Sequence, residues 1–218
     1  KQLIPEDGAL EIHTQTYVSR GGYKLEAALA AFDIQVKDLV FIDAGSSTGG
    51  FTDCLLQHGA KAVHAVDVGY NLIDWKLRSD PRVILHEKQN IMTLNEVDPP
   101  AEAAVCDLSF RSISNAASHI LSLVGNTFLI ALIKPQFELE NPPSTFDGVI
   151  DDSQIIQRVL GSVQERLAAE GVGIIDLIAS PITGAKGNRE FLGLLQKTMG
   201  LSQDEVIQKA REELLRLQ

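Results

Sequence analysis

The chain has 218 residues, which at about 150 residues per domain predicts one large domain, or one domain with a short extension. Its composition, 44 % hydrophobic and 22 % charged, is that of a globular protein and excludes a disordered or fibrous chain. The 19 basic and 29 acidic residues give a net charge of −10, which argues against binding nucleic acid by bulk charge. Any contact with nucleic acid must therefore be local.

No feature of the sequence indicates a membrane, secretion or a metal. The longest apolar run, residues 128–133, is too short to cross a bilayer, and no signal peptide opens the chain. Cys54 and Cys106 lie in apolar patterns, and the five histidines have no metal-ligand spacing. We therefore predict a cytoplasmic protein with no disulfide framework and no metal site. Because Lys1 is not a methionine, we expect that an N-terminal piece is missing.

Apolar periodicity predicts helices and strands that alternate along the chain. The predicted helices are residues 23–30, 51–58, 72–78, 113–123, 154–169 and 202–215. The predicted strands are residues 39–42, 62–66, 82–85, 103–106, 128–133 and 172–178. Residues 138–148 are predicted as a loop or lid, and residues 191–197 fit a helix or a strand equally well. Continuous apolar strands between helices indicate a doubly wound α/β fold, with a mostly parallel sheet covered on both faces.

The first predicted strand runs into a glycine-rich turn, residues 43–50, and then into a helix. Ligands bind at such turns in doubly wound sheets, because glycines let the backbone come close and the helix offers unpaired N–H groups. The spacing differs from G-x-G-x-x-G, and Asp43 would repel a pyrophosphate but attract the ammonium and sulfonium groups of S-adenosylmethionine. Alone, this turn is a weak signal, since similar runs also close ordinary strand-to-helix corners.

Residues at the ends of the next two strands extend this site. Asp67 suits a ribose diol, although it also fits a solvated strand end. Asn90 suits the adenine edge, although a turn-forming asparagine is an equal alternative. The candidate cofactor-binding residues are Asp43, Gly45, Ser46, Ser47, Thr48, Gly49, Gly50, Phe51, Asp67, Val68, Asn90 and Ile91.

Several longer motifs carry a family resemblance. They are VSRGGYKL (18–25), STGGFTDCLL (47–56), AVDVGY (65–70), LRSDPRV (77–83), DLSF (107–110), KPQFE (134–138), SPI (180–182) and GNRE (187–190). Together they resemble the hemolysin A (TlyA) family of FtsJ-like ribosomal RNA methyltransferases from residue 17 to residue 190. Departures exist: Arg111 stands where the family usually has an aliphatic residue, and residues 87–90 match only loosely.

The resemblance implies a Rossmann-like sheet of seven strands in the order 3-2-1-4-5-7-6, with the last strand antiparallel, which would decide residues 191–197 as a strand. It implies an S4-type RNA-binding domain whose tail is residues 1–16, followed by a methyltransferase domain over residues 17–218. It also implies S-adenosylmethionine as cofactor and ribosomal RNA, at a cytidine, as substrate. We expect ribosomal RNA or a ribosomal subunit as partner, and neither DNA nor a membrane.

Four residues are candidates for catalysis. Asp107 ends the fourth predicted strand and Lys134 the fifth, and parallel strands end at one edge of the sheet, so we expect these two side by side. Glu190 joins them if an antiparallel strand begins after it, and Lys24 can close the group from the first helix. The set resembles the Lys-Asp-Lys-Glu tetrad of FtsJ-like 2′-O-ribose methyltransferases. The resemblance assigns Lys134 as the base that deprotonates the ribose hydroxyl, although each residue alone also fits an ordinary turn or strand boundary.

Basic and aromatic residues near these motifs have two interpretations. Arg20, Arg111, Lys186 and Arg189 flank the motifs and are predicted to hold RNA phosphates, with ordinary surface charge as the alternative. Tyr70 and Trp75 have helical spacing, and we interpret them as packing residues rather than as base-stacking platforms.

Three other functions stay open at this point. The family name suggests a membrane-lysing hemolysin, but the absence of a membrane-spanning segment argues against this function. The same fold fits an RNA-binding module without catalysis, or a protein whose ligand is a dinucleotide. Transfer of a labelled methyl group to RNA would distinguish an enzyme from a hemolysin or an RNA-binding module. Stabilisation by S-adenosylmethionine but not by NAD would exclude a dinucleotide as the ligand.

Overall fold

In a computed structural model, the described residues of the chain are 16–109, 112–125, 127–142 and 144–217. The predicted linker at residues 1–16 therefore lies outside them apart from Thr16, and Arg111 lies outside them as well. The strands are β1 (Val40–Ala44), β2 (Ala62–Asp67), β3 (Val83–Glu87), β4 (Ala103–Cys106), β5 (Leu129–Ile133), β6 (Gly173–Ala179) and β7 (Phe191–Gln196). The helices are α1 (Gly21–Ala31), α2 (Gly50–Gln57), α3 (Trp75–Arg78), α4 (Ala117–Leu123), α5 (Pro135–Glu138), α6 (Ser153–Ala169) and α7 (Gln203–Arg216).

The strands form one sheet in the order β3-β2-β1-β4-β5-β7-β6. Strands β1 to β5 are parallel, and β7 is antiparallel to both of its neighbours. This confirms the predicted fold and strand order, and it decides residues 191–197 in favour of a strand. Because β7 runs the opposite way to β5, its first residue lies at the edge where β5 ends.

Alternate side chains of each strand enter two separate cores. Phe41 of β1 packs with Leu25 and Leu55, from α1 and α2, on one face of the sheet. Ile42, the next residue, packs with Ile120 and Leu160, from α4 and α6, on the other face. Both sides of the five inner strands are therefore almost fully buried, whereas the edge strands β3 and β6 are partly exposed, which explains why the inner strands read as continuous apolar runs.

Most element ends lie within two residues of the prediction, and three regions differ by more. The predicted helix 113–123 is divided into a 3-10 turn, Ile113–Asn115, and α4, because Ala116 adopts non-helical backbone angles (φ −122°) between them. The predicted helix 72–78 begins only at Trp75, where the Asp74 side chain caps it. Residue 138, predicted to open a loop, is the last residue of α5, a helix that begins with a proline.

A histidine pair that the sequence did not predict joins β2 to β3. His64 Nε2 lies 2.8 Å from the carbonyl oxygen of Pro99, and His64 Nδ1 lies 3.0 Å from His86 Nε2. Burial lowers the pKa of both imidazoles. Since a carbonyl oxygen only accepts, His64 donates from Nε2 and accepts at Nδ1, so the pair is a structural contact between neutral rings.

Candidate active site

The turn after β1 is shaped by two glycines in left-handed backbone conformations. Gly45 has φ +84°, and a Cβ there would lie 2.6 Å from the carbonyl oxygen of Asp107, so the turn lies directly against the end of β4. Gly49 has φ +94° and is the N-cap of α2, where a Cβ would collide with Leu77. Both positions require glycine, and they leave the first N–H groups of α2 without side-chain caps.

Asp43, at the base of this turn, is a buried carboxyl with one unsatisfied oxygen. Thr52 Oγ1 donates to Asp43 Oδ2 at 2.6 Å, whereas no hydrogen bond from the described residues reaches Oδ1. Burial, with a smaller contribution from the charges of Asp107 and Asp67, raises the pKa of Asp43 to about 7, although the Thr52 hydrogen bond opposes the rise. A buried acceptor without a partner suits a cationic ligand and would repel a phosphate.

Asp67, at the end of β2, fastens the turn to the second strand. Its Oδ2 accepts a hydrogen bond from Ser47 N at 2.8 Å, and its Oδ1 accepts one from Gly69 N at 2.7 Å. Each carboxylate oxygen can accept a further hydrogen bond. Asp67 therefore retains the capacity to bind a diol, which stays a prediction.

Residues 90 and 91 lie beyond β3 in a 3-10 turn. Asn90 Oδ1 accepts from Met92 N at 3.0 Å and so caps that turn, and Ile91 is buried. The turn-forming role of Asn90 is thus present in the structure. The amide nitrogen takes no part in this cap, and its contact with adenine stays a prediction.

A single cleft of about 470 Å³ joins the glycine turn to part of the predicted tetrad. Its walls include Asp43, residues 45–48 and Phe51 on one side, and Arg20, Lys24 and Asp107 on the other. A ligand in the turn and a nucleotide entering from outside would share this cleft.

The four candidate catalytic residues form two ion pairs. Lys24 Nζ contacts Glu190 Oε2, with both side chains almost fully buried, although 166 residues separate them. Lys134 Nζ lies 2.5 Å from Asp107 Oδ1 and also donates to the carbonyl oxygen of Leu108 at 3.2 Å. Each ammonium group is thus held against a carboxylate.

Strand register brings the two pairs to one edge. Ile133 of β5 pairs with Phe191 of β7, so Lys134 and Glu190 are the next residues at the same end of adjacent strands. Cys106 of β4 pairs with Ala131 of β5, which puts Asp107 on the other side of Lys134. The juxtaposition expected for the tetrad is therefore present.

Three further residues around this edge were missed by sequence reasoning. Glu138 is buried and accepts hydrogen bonds from Ser112 Oγ (2.6 Å), Ile113 N (2.7 Å) and Arg166 Nη2 (2.9 Å), which anchors the helix that follows Lys134. Asn188 bridges to Gly148 and Ile150, and so fastens the far end of the predicted lid beside Glu190. Gly184 makes room for Glu190, since a Cβ there would lie 1.9 Å from Glu190 Oε1. The contacts of Glu138 and Asn188 join segments at least 25 residues apart, so no local pattern signals them.

The predicted RNA-contacting residues fall into different surroundings. Arg20 is exposed at the cleft, and Arg189 is partly exposed next to Glu190. Lys186 is exposed but donates to the carbonyl oxygen of Asp147 at 2.7 Å. The interpretation of Tyr70 and Trp75 as packing residues is wrong: their side chains are 65 % and 77 % exposed, because Tyr70 precedes the helix and Trp75 is its first residue.

The described residues contain neither a metal site nor a membrane-spanning helix. Within those ranges, no group of three His, Cys, Asp or Glu side chains is arranged to hold a metal ion. None of the helices there combines the length and apolar character needed to cross a bilayer.

Comparison with known proteins identifies the family. The FtsJ-like methyltransferase family matches residues 17–197, which is most of the chain. The chain belongs to the FtsJ-like methyltransferase family. Methyltransferases of this family use S-adenosylmethionine, so the predicted family, enzyme class and cofactor are confirmed.

The relatives of this FtsJ-like methyltransferase carry related names. A candidate ribosomal RNA methyltransferase, YqxC of Bacillus subtilis, is 43 % identical over 206 residues, or 90 % of this chain and 73 % of that protein. The 16S/23S rRNA (cytidine-2′-O)-methyltransferase TlyA of Mycobacterium tuberculosis is 38 % identical over 194 residues, or 86 % of this chain and 72 % of that protein. The solved structure of a candidate hemolysin from Streptococcus thermophilus is 40 % identical, with a TM-score of 0.83 over 94 % of this chain and 78 % of that one.

A substitution at Gly184 tests how this FtsJ-like methyltransferase positions Glu190. Gly184→Ala puts a methyl group where the Glu190 carboxylate lies, so the carboxylate must move away from Lys24. We expect methyl transfer to fall roughly tenfold to a hundredfold, because small displacements of orienting groups have effects of this size, while cofactor affinity stays unchanged. Steady-state kinetics and calorimetric titration measure the two quantities.

The matched control removes the group that collides. In a Glu190→Ala background, Gly184→Ala should have no further effect on the rate, because the methyl group then has nothing to displace. A full additional loss in that background would show that the glycine acts on the backbone and not through Glu190.

Proposed function

We propose that this FtsJ-like methyltransferase transfers a methyl group from S-adenosylmethionine to a ribose 2′-hydroxyl of ribosomal RNA, at a cytidine. The observation that carries the proposal is the pairing of Lys24 with Glu190 and of Lys134 with Asp107 at the edge of the glycine turn. Further support comes from the relative in Mycobacterium tuberculosis, whose name specifies cytidine 2′-O-methylation of 16S and 23S RNA.

The residues of the glycine turn fit S-adenosylmethionine as the cofactor. The unsatisfied buried oxygen of Asp43 suits the cationic end of S-adenosylmethionine, and the glycines at 45 and 49 leave the turn free of side chains. Asp67 would accept hydrogen bonds from the ribose diol, with Val68, Asn90 and Ile91 around the adenine. When bound, S-adenosylmethionine supplies an electrophilic methyl group on a sulfonium.

The chemistry assigned to the lysines follows from the nucleophile. A ribose hydroxyl attacks only when it is aligned with the methyl group and loses its proton. Lys134 Nζ accepts that proton in our assignment, and the resulting ammonium is stabilised by the Asp107 carboxylate 2.5 Å away. Lys134 takes up the proton only when its amine is neutral before the step.

Lys24 and Glu190 orient the hydroxyl in this assignment. Their ion pair is buried, so a displaced partner would leave an uncompensated charge, and the pair holds a single geometry. Lys24 also lines the cleft beside the glycine turn, where it can donate to a substrate oxygen.

The RNA is held by local charge in this proposal, because the whole chain is acidic. Arg20, Arg189 and, beyond the described residues, Arg111 are proposed to contact phosphates. Lys186 shares this assignment, although its hydrogen bond to Asp147 means that it must exchange partners to do so.

Mapping ribose methylation is the direct test. Ribosomal RNA incubated with the enzyme and S-adenosylmethionine should gain 2′-O-methyl groups at cytidines. Methylation of a base in place of the ribose would reject the proposed reaction, and an absence of transfer with intact cofactor binding would favour an RNA-binding module.

Cofactor binding gives a separate prediction at Asp67. The Asp67→Ala variant should bind S-adenosylmethionine roughly tenfold to a hundredfold more weakly, because charge-assisted hydrogen bonds to the diol and the anchor to Ser47 are both lost. Thermal shift and titration calorimetry measure the effect, with NAD as a ligand that should not stabilise the wild-type protein.

Asp80→Ala is the matched control, since Asp80 pairs with Arg82 before β3, at the opposite edge of the sheet. An unchanged affinity in Asp67→Ala, or equal losses in both variants, would refute the ribose contact.

A further inference from the structure

Four large apolar side chains stand exposed in one short segment. Among the described residues, six large hydrophobic side chains are exposed, and four of these, Val68 (71 %), Tyr70 (65 %), Leu72 (49 %) and Trp75 (77 %), lie within eight residues. We call these four residues the exposed strip. Clustered apolar exposure of this kind marks an interaction surface in a folded protein, whereas single exposed residues are ordinary.

The segment that carries the strip is ordered by hydrogen bonds. Asn71 N donates to Glu87 Oε1 at 2.7 Å, Lys88 N donates to the carbonyl oxygen of Gly69 at 2.9 Å, and Asp74 N donates to that of Thr48 at 3.1 Å. Between the exposed residues, Ile73 is buried. The strip is therefore held outward by a well-connected backbone, and its exposure does not result from a loose loop.

Acidic side chains of the same segment are already engaged. Glu87 pairs with Arg78 at 2.5 Å and Asp80 with Arg82 at 2.7 Å. The Asp74 carboxylate accepts from Lys76 N at 2.8 Å, and Asp67 accepts from two backbone N–H groups. Residues 67–88 hold as many basic as acidic side chains, so this segment carries no net charge in an otherwise acidic chain.

Two lysines remain on this surface. Lys88 Nζ lies 4.6 Å from the centre of the Tyr70 ring. Lys76 follows Trp75, and its side chain is 67 % exposed, with Asp53 at 3.5 Å. Aromatic faces interleaved with cations are the combination by which proteins bind unpaired nucleic acid.

The strip lies at the rim of the candidate active site. It begins directly after Asp67, which binds the glycine turn through Ser47. Its buried neighbours Ile73 and Leu77 pack on Gly49, the N-cap of α2. A polynucleotide whose target ribose entered the cleft would therefore pass over or beside these side chains.

We propose that Tyr70, Leu72 and Trp75 of the exposed strip, with Lys76 and Lys88, bind unpaired RNA that flanks the target nucleotide, while Val68, next to Asp67, stays assigned to the cofactor. Bases stack on Tyr70 and Trp75, and the lysines contact the phosphates of the same strand. Stacking accepts any base, so this surface supplies affinity and orientation rather than sequence recognition. The inference rests on the proposed RNA methyltransferase function.

Intrinsic fluorescence tests this surface directly, because Trp75 is the single tryptophan of the chain. Titration with a short oligocytidylate at low ionic strength should quench Trp75 emission, and added salt should weaken the binding. Tyr70→Ala should weaken binding roughly tenfold, the loss of one stacked base, whereas Met199→Ala, an exposed control outside the strip, should have no effect. The inference would be overturned if Trp75 emission stayed unchanged while RNA was bound, or if the Tyr70→Ala and Met199→Ala variants bound RNA with equal affinity.

Kinetics separate this inference from the proposed function. Trp75→Ala should raise the KM for ribosomal RNA roughly tenfold, with kcat and the affinity for S-adenosylmethionine unchanged. If wild-type protein transfers methyl groups and Trp75→Ala has the same KM, the strip is not an RNA surface, although the enzyme assignment stands. If wild-type protein transfers none, the proposed function fails, and the fluorescence titration alone decides whether the strip binds RNA.

Sedimentation tests whether a second copy of the chain, rather than RNA, binds the exposed strip. A second copy of the chain packed on the strip would give a wild-type dimer that Trp75→Ala converts to a monomer, and this result would overturn the assignment to RNA. Thermal unfolding of each variant confirms that it is folded, which we expect because the altered side chains lie on the surface.

Discussion

Lys134→Ala is expected to lower methyl transfer by roughly 10²- to 10⁴-fold, the usual contribution of a general base, and to leave S-adenosylmethionine affinity unchanged. The reason is position: Lys134 Nζ contacts Asp107, Leu108 and Ser109 at the edge of the sheet and has no part in the glycine turn. Single-turnover transfer to ribosomal RNA measures the first quantity and calorimetry measures the second.

Two further lysine variants test whether Lys134 acts as a base or only through its charge. Lys134→Arg retains the positive charge but cannot be neutral near pH 7, so it should be nearly as inactive as the alanine variant. Lys61→Ala removes an exposed lysine just before β2, at the opposite edge, and should have no effect. Normal transfer by Lys134→Ala would refute the base assignment, and substantial activity in Lys134→Arg would indicate that Lys134 contributes only charge.

Cofactor affinity is expected to depend on pH through Asp43. The pKa of this carboxyl is raised to about 7, mainly by burial. Below that pH the carboxyl is protonated and no longer attracts a cation, so the dissociation constant for S-adenosylmethionine should rise about tenfold per pH unit as the pH falls. Above about pH 7 it should be constant. Calorimetry between about pH 5 and pH 8 measures this slope.

Asp43→Asn is the control for that profile. An asparagine keeps the shape of the side chain and does not titrate, so its binding should be weaker at neutral pH and flat in this range. The same raised pKa means that the ligand-free native state binds a proton more tightly than the unfolded chain. Asp43 therefore lowers native stability as the pH rises from about 4 to about 7, and the wild type should lose stability relative to Asp43→Asn over that window. A slope in Asp43→Asn equal to that of the wild type would refute the role of Asp43.

Local patterns predicted most of the elements but not all of their ends. The strand at 103–106 was predicted at its exact bounds, and the helix predicted at 202–215 is α7, which begins after a capping box of Ser202 and Glu205. The helix predicted at 113–123 is interrupted at Ala116, whose backbone is non-helical, and the turn before it is held by Glu138, far along the chain, which accepts a hydrogen bond from Ile113 N. Apolar spacing carries information over one or two turns, whereas that contact joins segments 25 residues apart.

The error at Tyr70 and Trp75 has a similar cause. At about 3.6 residues per turn, residues five apart lie about 140° from each other around a helix, so this spacing does not place both side chains on one inward face. The structure begins the helix at Trp75, where Asp74 caps it, so the spacing has no meaning for Tyr70. Hydrogen bonds to Thr48, Glu87 and Lys88 order the segment that carries these side chains.

The sequence by itself determined the alternation of helices and strands, the glycine turn with its acid, and two of the four candidate catalytic residues at one sheet edge. These follow from short-range periodicity and from the rule that parallel strands end together. Tertiary structure decided the pairing of Lys24 with Glu190, the space that Gly184 leaves for that carboxylate, and the outward strip beside the cleft. The ion pair joins residues 166 positions apart, and the other two features depend on how loops fold against the sheet, so their geometry exists only once the sheet and its two layers of helices are assembled.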